Sequence, residues 1–187
     1  MKINLPNMLI VLRVVLIPVF LVSFSNASYA GRIIPMAVFL IAAITDYFDG
    51  LLARKWNTVS NFGKLMDPLA DKMLVSAAMI ALAYRQELAA WVVVIIICRE
   101  FWVTSLRMLA LEQGNTVIAA SMWGKIKTVL QMIMLTVLIA GVPTGEFIID
   151  FGRFGDIIAA ALIYSSVVAT IVSAVEYTWD YKDVFRS

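Results

Sequence analysis

Six apolar runs alternate with short polar stretches along the chain, over residues 7–24, 33–53, 69–84, 88–110, 122–142 and 155–177. About 20 mainly apolar residues form a helix that crosses the hydrocarbon core of a bilayer, so each run predicts one transmembrane helix. The separators carry Gly, Pro, Asn or charges, and the longest polar connection runs from Arg54 to Asn61. No internal repeat, low-complexity tract or Pro/Ser-rich linker divides the chain. The pattern predicts an all-α polytopic membrane bundle of six transmembrane helices, forming a single domain over residues 1–187. Ser28-Tyr29-Ala30 looks like a signal-peptidase site after a short apolar stretch, but Arg13 interrupts that stretch. The first helix is therefore expected to stay.

Composition strengthens this reading. Of 187 residues 62% are hydrophobic, with a mean hydropathy of +0.90, against roughly 45–50% apolar content in a soluble domain. Little chain is left for a separate soluble domain. The net charge of +2 is spread between apolar runs, without the contiguous basic face of a polyanion binder, so no nucleic-acid partner is expected. With a cytoplasmic N-terminus, Arg32, Arg85 and Arg153 fall outside. Lys2, Arg54, Lys55, Lys64, Lys125, Lys127, Lys182 and Arg186 then fall on or near the inner side. That asymmetry follows the positive-inside rule and puts the acidic cluster between the second and third runs on the cytoplasmic face. The lone cysteine, Cys98, has no disulfide partner and is expected to be a small buried apolar side chain.

Histidine is absent, which removes the usual general base, the Ser-His and Cys-His pairs and imidazole-dependent zinc sites. Catalysis must therefore rest on carboxylates. One stretch concentrates them: Asp46, Asp49, Gly50, Ala53 and Arg54 lie at the end of the second run, and Gly63, Asp67 and Asp71 lead into the third. Positions i and i+3, or i and i+4, share a helix face, so Asp46 with Asp49 and Asp67 with Asp71 each present two carboxylates in one direction. Two carboxylates about 4 Å apart repel by roughly 4 kcal/mol at an effective dielectric near 20, and charge inside a membrane helix costs a few kcal/mol more. Bound dications offset both. Hard oxygen ligands select Mg²⁺, Mn²⁺ or Ca²⁺, and a metal pair suits phosphoryl displacement. Gly50 and Ala53 would let a pyrophosphate or a neighbouring helix approach the backbone. A purely structural account makes Asp67 an N-cap before Pro68 and Asp71 a first-turn anion. It leaves four carboxylates at these spacings in an apolar chain unexplained.

The stretch from Asp46 to Asp71 matches without gaps the pattern D-x₂-D-G-x₂-A-R-x₈-G-x₃-D-x₃-D, and by it the chain resembles the CDP-alcohol phosphotransferase family. The resemblance implies a six-helix membrane homodimer that uses two Mg²⁺ or Mn²⁺ ions per site and releases CMP. It implies Asp46, Asp49, Asp67 and Asp71 at the metals, with Asp71 as the base on the acceptor hydroxyl. It further implies CDP-diacylglycerol held by Asn7, Arg13, Asp46, Gly50, Ala53 and Arg54. A carboxylate base near neutrality needs a raised pKa or a metal-acidified hydroxyl, and the sequence does not distinguish the two.

Further segments resemble one bacterial branch, whose acceptor is glycerol 3-phosphate: Leu5-Pro6-Asn7 with Arg13, Arg99 to Arg107, and Trp123 to Gln131. Ile10 stands where the branch usually has threonine, which puts a hydroxyl contact to substrate phosphate there in doubt. The acceptor is a dianion, and Arg99, Arg107, Lys125 and Lys127 are the cations expected to receive it, since arginine at membrane depth is functional by default. Lys125 and Lys127 also fit a reading as interfacial anchors. Glu100 adjoins Arg99 and reads either as its neutralising neighbour or as a ligand to a substrate hydroxyl, although consecutive helix positions point to different parts of the helix surface, which weakens direct pairing. The expected location is a bacterial cell membrane, multi-pass, with CDP-diacylglycerol, glycerol 3-phosphate and membrane lipid as partners. The same chemistry on inositol phosphate or serine, a membrane prenyltransferase with paired aspartates, and a non-catalytic cation binder are the alternatives.

Overall fold

A computed structural model describes residues 5–27, 29–56, 61–112, 122–143 and 152–182. Side chains of 5–7, 9–10, 29–30, 46–56, 61–71 and 111–112 lie outside that description. Among the described residues there are six α-helices and no strand: α1 Leu5–Ser25, α2 Ile33–Trp56, α3 Asn61–Tyr84, α4 Ala90–Glu112, α5 Met122–Ile139 and α6 Arg153–Asp180. A 3-10 turn, Tyr29–Arg32, leads into α2. Each apolar run of the sequence became one helix. α5 and α6 are long and apolar enough to cross a membrane, and shorter apolar segments lie in Val11–Ser25, Ile33–Thr45 and Lys72–Tyr84.

The polar connection after the second run is shorter than the hydropathy pattern implies. α2 continues through Arg54 and Lys55 to Trp56, and α3 already starts at Asn61. Arg, Lys, Leu and Met are good helix formers, so the helices continue where hydropathy falls. Asp67 is therefore inside α3, and its reading as an N-cap does not hold.

α1 packs on both α2 and α3, and α6 packs on both α4 and α5. On α1 the inward stripe is Arg13, Phe20 and Phe24, with Leu16 and Ile17 against the core, while Val11, Leu12, Val15, Val19 and Val22 stay exposed. The main core joins Phe20, Phe24 and Phe39 to Leu74, Ala78, Met79 and Leu82 of α3, Val92 and Ile96 of α4, and Met134, Leu135 and Leu138 of α5. Phe20 and Phe24 stack with ring centroids 5.5 Å apart. A second cluster, Val103, Leu106, Ala110, Tyr177 and Tyr181, seals α4 against α6. Large apolar side chains cover the outside of every helix, among them Ile34, Ile41, Ile80, Val94, Phe101, Val129 and Val168. Such a continuous apolar exterior is costly in water and is what lipid chains would cover.

Cys98 departs from expectation: it is a free, exposed cysteine. Along α4 the inward positions are Val92, Val93, Ile96, Val103, Leu106 and Ala110, and Cys98 falls with exposed Val94, Phe101 and Trp102. An apolar thiol suits a lipid-facing wall as well as a core.

One end of the bundle is tied by a buried ion cluster. Arg32 donates to both oxygens of Glu87, Nη1 to Oε2 at 2.8 Å and Nη2 to Oε1 at 2.5 Å, and Nη1 also to the Leu138 carbonyl at 3.2 Å. Arg85 Nε donates to Glu87 Oε1 at 2.9 Å, and its Nη1 to the carbonyls of Phe24 and Ala27. Both guanidiniums lie over the Phe24 ring, at 5.6 and 5.1 Å. Hence the ends of α1, α3 and α5 and the start of α2 meet at one carboxylate.

Candidate functional site

At the opposite end lie the C-terminal part of α2 and the N-terminal part of α3, which carry the aspartates. Asp46 and Asp49 sit on α2 with Gly50, Ala53 and Arg54, and Asp67 and Asp71 sit on α3. The side chains of all these residues lie outside the described set, as do those of Asn7 and Ile10 on α1. Arg13, on the inward stripe of α1, is fully buried. As a donor set the four carboxylates are all oxygen, three or four residues apart on adjoining helices, which suits Mg²⁺ or Mn²⁺. Among the described residues no group of three acidic, Cys or His side chains could hold a metal.

Beyond Asp71 the side chains are defined, and they converge. Lys72 Nζ donates to the Glu100 main-chain carbonyl at 3.2 Å and to the Thr104 hydroxyl. Lys127 Nζ donates to Glu100 Oε1, the same oxygen that Arg99 Nη1 reaches at 2.9 Å. Arg99 Nη2 donates to Ser173 Oγ at 2.5 Å. Arg107 Nη2 donates to the Tyr177 hydroxyl at 2.6 Å, and both arginines lie over the Tyr177 ring, at 5.6 and 5.0 Å. α3, α4, α5 and α6 thus contribute to one charged site. Beside it, Lys72, Ser76, Glu100, Lys127, Thr128 and Gln131 line a cavity of about 60 Å³.

Of the four cations expected from sequence, the structure brings Arg99 and Lys127 onto one carboxylate and joins Arg107 to Arg99 through Tyr177. Lys125 is exposed whereas Lys127 is buried, because two residues advance about 200° around a helix of 3.6 residues per turn. Glu100 and Arg99 do meet, as neutralising neighbours. The backbone positions diverge, but the long arginine side chain bends back to its neighbour's carboxylate. Lys72, Ser173 and Tyr177 were not anticipated. Buried Ser166, Thr170, Ser173 and Tyr177 form a polar stripe on α6 at helical spacing, a signal that was present in the sequence. Among the described residues the Ser166 and Thr170 hydroxyls have no hydrogen-bond partner, nor do Arg99 Nε and Arg107 Nε.

Known proteins resemble the chain over most of its length. The family profile described as CDP-alcohol phosphatidyltransferase matches residues 3–176. A CDP-diacylglycerol--glycerol-3-phosphate 3-phosphatidyltransferase of Bacillus subtilis is 42% identical, over 93% of this chain and 93% of its own length. The enzyme of that name from Haemophilus influenzae is 36% identical, over 95% of this chain and 92% of its own. A probable phosphatidylglycerophosphate synthase of Mycobacterium tuberculosis is 37% identical, over 93% of this chain and 79% of its own. With the profile matching residues 3–176, both aspartate pairs included, and with relatives aligned over nearly its whole length, the chain belongs to the CDP-alcohol phosphatidyltransferase family.

Proposed function

We propose that the protein transfers the phosphatidyl group of CDP-diacylglycerol to the primary hydroxyl of sn-glycerol 3-phosphate, giving phosphatidylglycerophosphate and CMP. The observation that carries this reading is the meeting of Lys72, Arg99 and Lys127 around Glu100, immediately beyond Asp71 on α3. A dianionic acceptor needs buried cations next to the reacting phosphorus, and a neutral alcohol does not. The printed names of the relatives favour the same acceptor.

In this reading Asp46, Asp49, Asp67 and Asp71 hold two Mg²⁺ or Mn²⁺ ions, which neutralise the pyrophosphate when bound. Gly50 and Ala53 leave space for the CDP-pyrophosphate, and Arg54, Arg13 and Asn7 hold it. Arg99, Arg107 and Lys127 orient the acceptor through its phosphate, with Lys125 at the rim, which places the far hydroxyl toward the aspartates. Asp71 accepts the hydroxyl proton as that oxygen bonds to the phosphorus carrying diacylglycerol. The bond from that phosphorus to the bridging oxygen breaks, and CMP departs with the electron pair. Positioning and charge neutralisation supply most of the acceleration in such a displacement.

The same reading makes the chain one membrane domain of six spans in a bacterial cell membrane, a homodimer with its active face toward the cytoplasm. The exposed apolar walls of all six helices and the excess of basic residues at the aspartate end support it. Purified protein given CDP-diacylglycerol with Mg²⁺ and each acceptor in turn tests the proposal. CMP release is expected with glycerol 3-phosphate, and turnover of inositol phosphate or serine without it would overturn the choice.

A further inference from the structure

Among the described residues Glu100 is an acidic side chain in contact with the acceptor-site cations, and the proposed reaction gives it no task. Its Oε1 receives both Lys127 Nζ and Arg99 Nη1, the position from which an oxygen of a bound phosphate would bridge those two groups. Its side chain keeps 19% of its exposure and borders the cavity, whereas Lys127 and Arg99 keep 5% and 9%. Lys72 reaches the main-chain carbonyl of Glu100 rather than its carboxylate, so the carboxylate can swing while Lys72 and Thr104 hold α4 in place. Glu100 brings one negative charge to the Arg99–Lys127 pair, and a phosphomonoester dianion in its place would bring two. The cavity of about 60 Å³ holds a few water molecules at roughly 10–15 Å³ each, the scale of one small oxyanion head group.

Buried cations at this depth need an anion whether or not substrate is present. We infer that Glu100 is an internal competitor for the acceptor's phosphate: its carboxylate occupies the Arg99–Lys127 pair in the empty site, and only a dianionic head group displaces it. This rests on the proposed acceptor class, and it makes Glu100 a specificity-determining residue. A neutral alcohol brings nothing that repays the two cations for losing Glu100. A phosphomonoester brings two negative charges and three oxygens, and Arg99 Nε, without a partner among the described residues, is a donor ready to meet one of them. Occupancy by Glu100 lowers apparent affinity by the fraction of time that the pair is free, so a pair held nine-tenths of the time binds phosphate about ten-fold more weakly than an open one.

The test is Glu100→Gln in the full-length protein, with inorganic phosphate as the probe beside glycerol 3-phosphate. Removing the competitor should lower both the KM for glycerol 3-phosphate and the inhibition constant for inorganic phosphate about ten-fold, with a smaller change in kcat. A carboxylate whose task is to hold Arg99 and Lys127 for substrate would give the reverse, a raised KM and weaker phosphate inhibition, and either a raised or an unchanged phosphate constant overturns the inference. Phosphate titration of the thermal midpoint gives the same comparison without turnover. It decides the role of Glu100 even if wild-type protein fails to use glycerol 3-phosphate, a failure that counts against the proposed reaction alone. Should Glu100→Gln not fold, Glu100→Asp keeps the charge on a side chain one methylene shorter, which reaches the pair less well. Phosphate should then bind more tightly than in wild type, and equal or weaker binding overturns the idea.

Discussion

Removing the Glu87 side chain should destabilise the bundle strongly while leaving the chemistry of each folded molecule intact. Glu87 receives three ionic hydrogen bonds, at 2.8, 2.5 and 2.9 Å, and is 8% exposed beside an Arg32 that is 2% exposed. In Glu87→Ala, Arg32 keeps the Leu138 carbonyl at 3.2 Å and the face of Phe24, but its charge loses the carboxylate. Stranding one partner of a buried pair costs about 3–5 kcal/mol, against about 0–1 for an exposed pair. For a chain of this size roughly 2–4 °C of midpoint accompany each kcal/mol, so the loss is of order 10 °C. Thermal unfolding in detergent, followed by loss of helical signal, measures it. The double variant Glu87→Leu, Arg32→Met should recover much of the loss, because it removes the buried Arg32–Glu87 pair, keeps side-chain volume and leaves only Arg85, which is 24% exposed. CMP release per folded molecule should stay near wild type, since the cluster ties the end of the bundle opposite the aspartates. A midpoint shift of a degree or two in Glu87→Ala, or no recovery in the double variant, would refute the claim that this carboxylate holds the helix ends.

Tyr177→Phe removes the hydroxyl that Arg107 holds at 2.6 Å while keeping the ring under both arginines. A hydrogen bond to a charged group contributes about 1.5 kcal/mol, so the KM for glycerol 3-phosphate should rise roughly ten-fold, read by CMP release against acceptor concentration. Lys127→Gln should raise that KM at least ten times more than Lys125→Gln does, because Lys127 is buried against Glu100 and Lys125 is exposed; similar effects would place the phosphate elsewhere. Asp71→Asn should nearly abolish CMP release with a smaller effect on metal affinity measured by calorimetry, and near-normal turnover would remove Asp71 as the base. Chelation with EDTA should stop turnover, and added Mg²⁺ or Mn²⁺ should restore it.

What sequence could and could not reveal follows from the range over which each force acts. Six helices were legible because hydropathy along 18 to 28 residues is a local signal, and the aspartate pairs because carboxylates three and four apart are rare in apolar chain. The ends of α2 and α3 were less legible, since Arg54, Lys55 and Lys64 lower hydropathy without opposing helix formation. Side-chain reach was underestimated at Arg99, whose guanidinium turns back to the next residue. Long-range partners were invisible: Arg32 and Glu87 are 55 positions apart, and Arg99 and Ser173 are 74 apart. Arg32 read only as an outer-loop cation, and Ser173 lies within the apolar run 155–177.

Two groups of buried charge sit at opposite ends of one bundle, and their composition separates their tasks. Around Glu87 the two arginines finish on the main-chain carbonyls of Phe24, Ala27 and Leu138, acceptors left open where helices end. Main-chain acceptors at the ends of α1 and α5 thus take part in that cluster, which fits a task of holding those ends together. Around Glu100 the partners are the hydroxyls of Thr104, Ser173 and Tyr177, which can turn to donate or accept. There Arg99 and Lys127 share one carboxylate oxygen, and Arg99 Nε and Arg107 Nε have no hydrogen-bond partner among the described residues. Under the proposed reaction the acceptor's phosphate brings its negative charge to that pair, on the side of the bundle where Asp67 and Asp71 lead into Lys72.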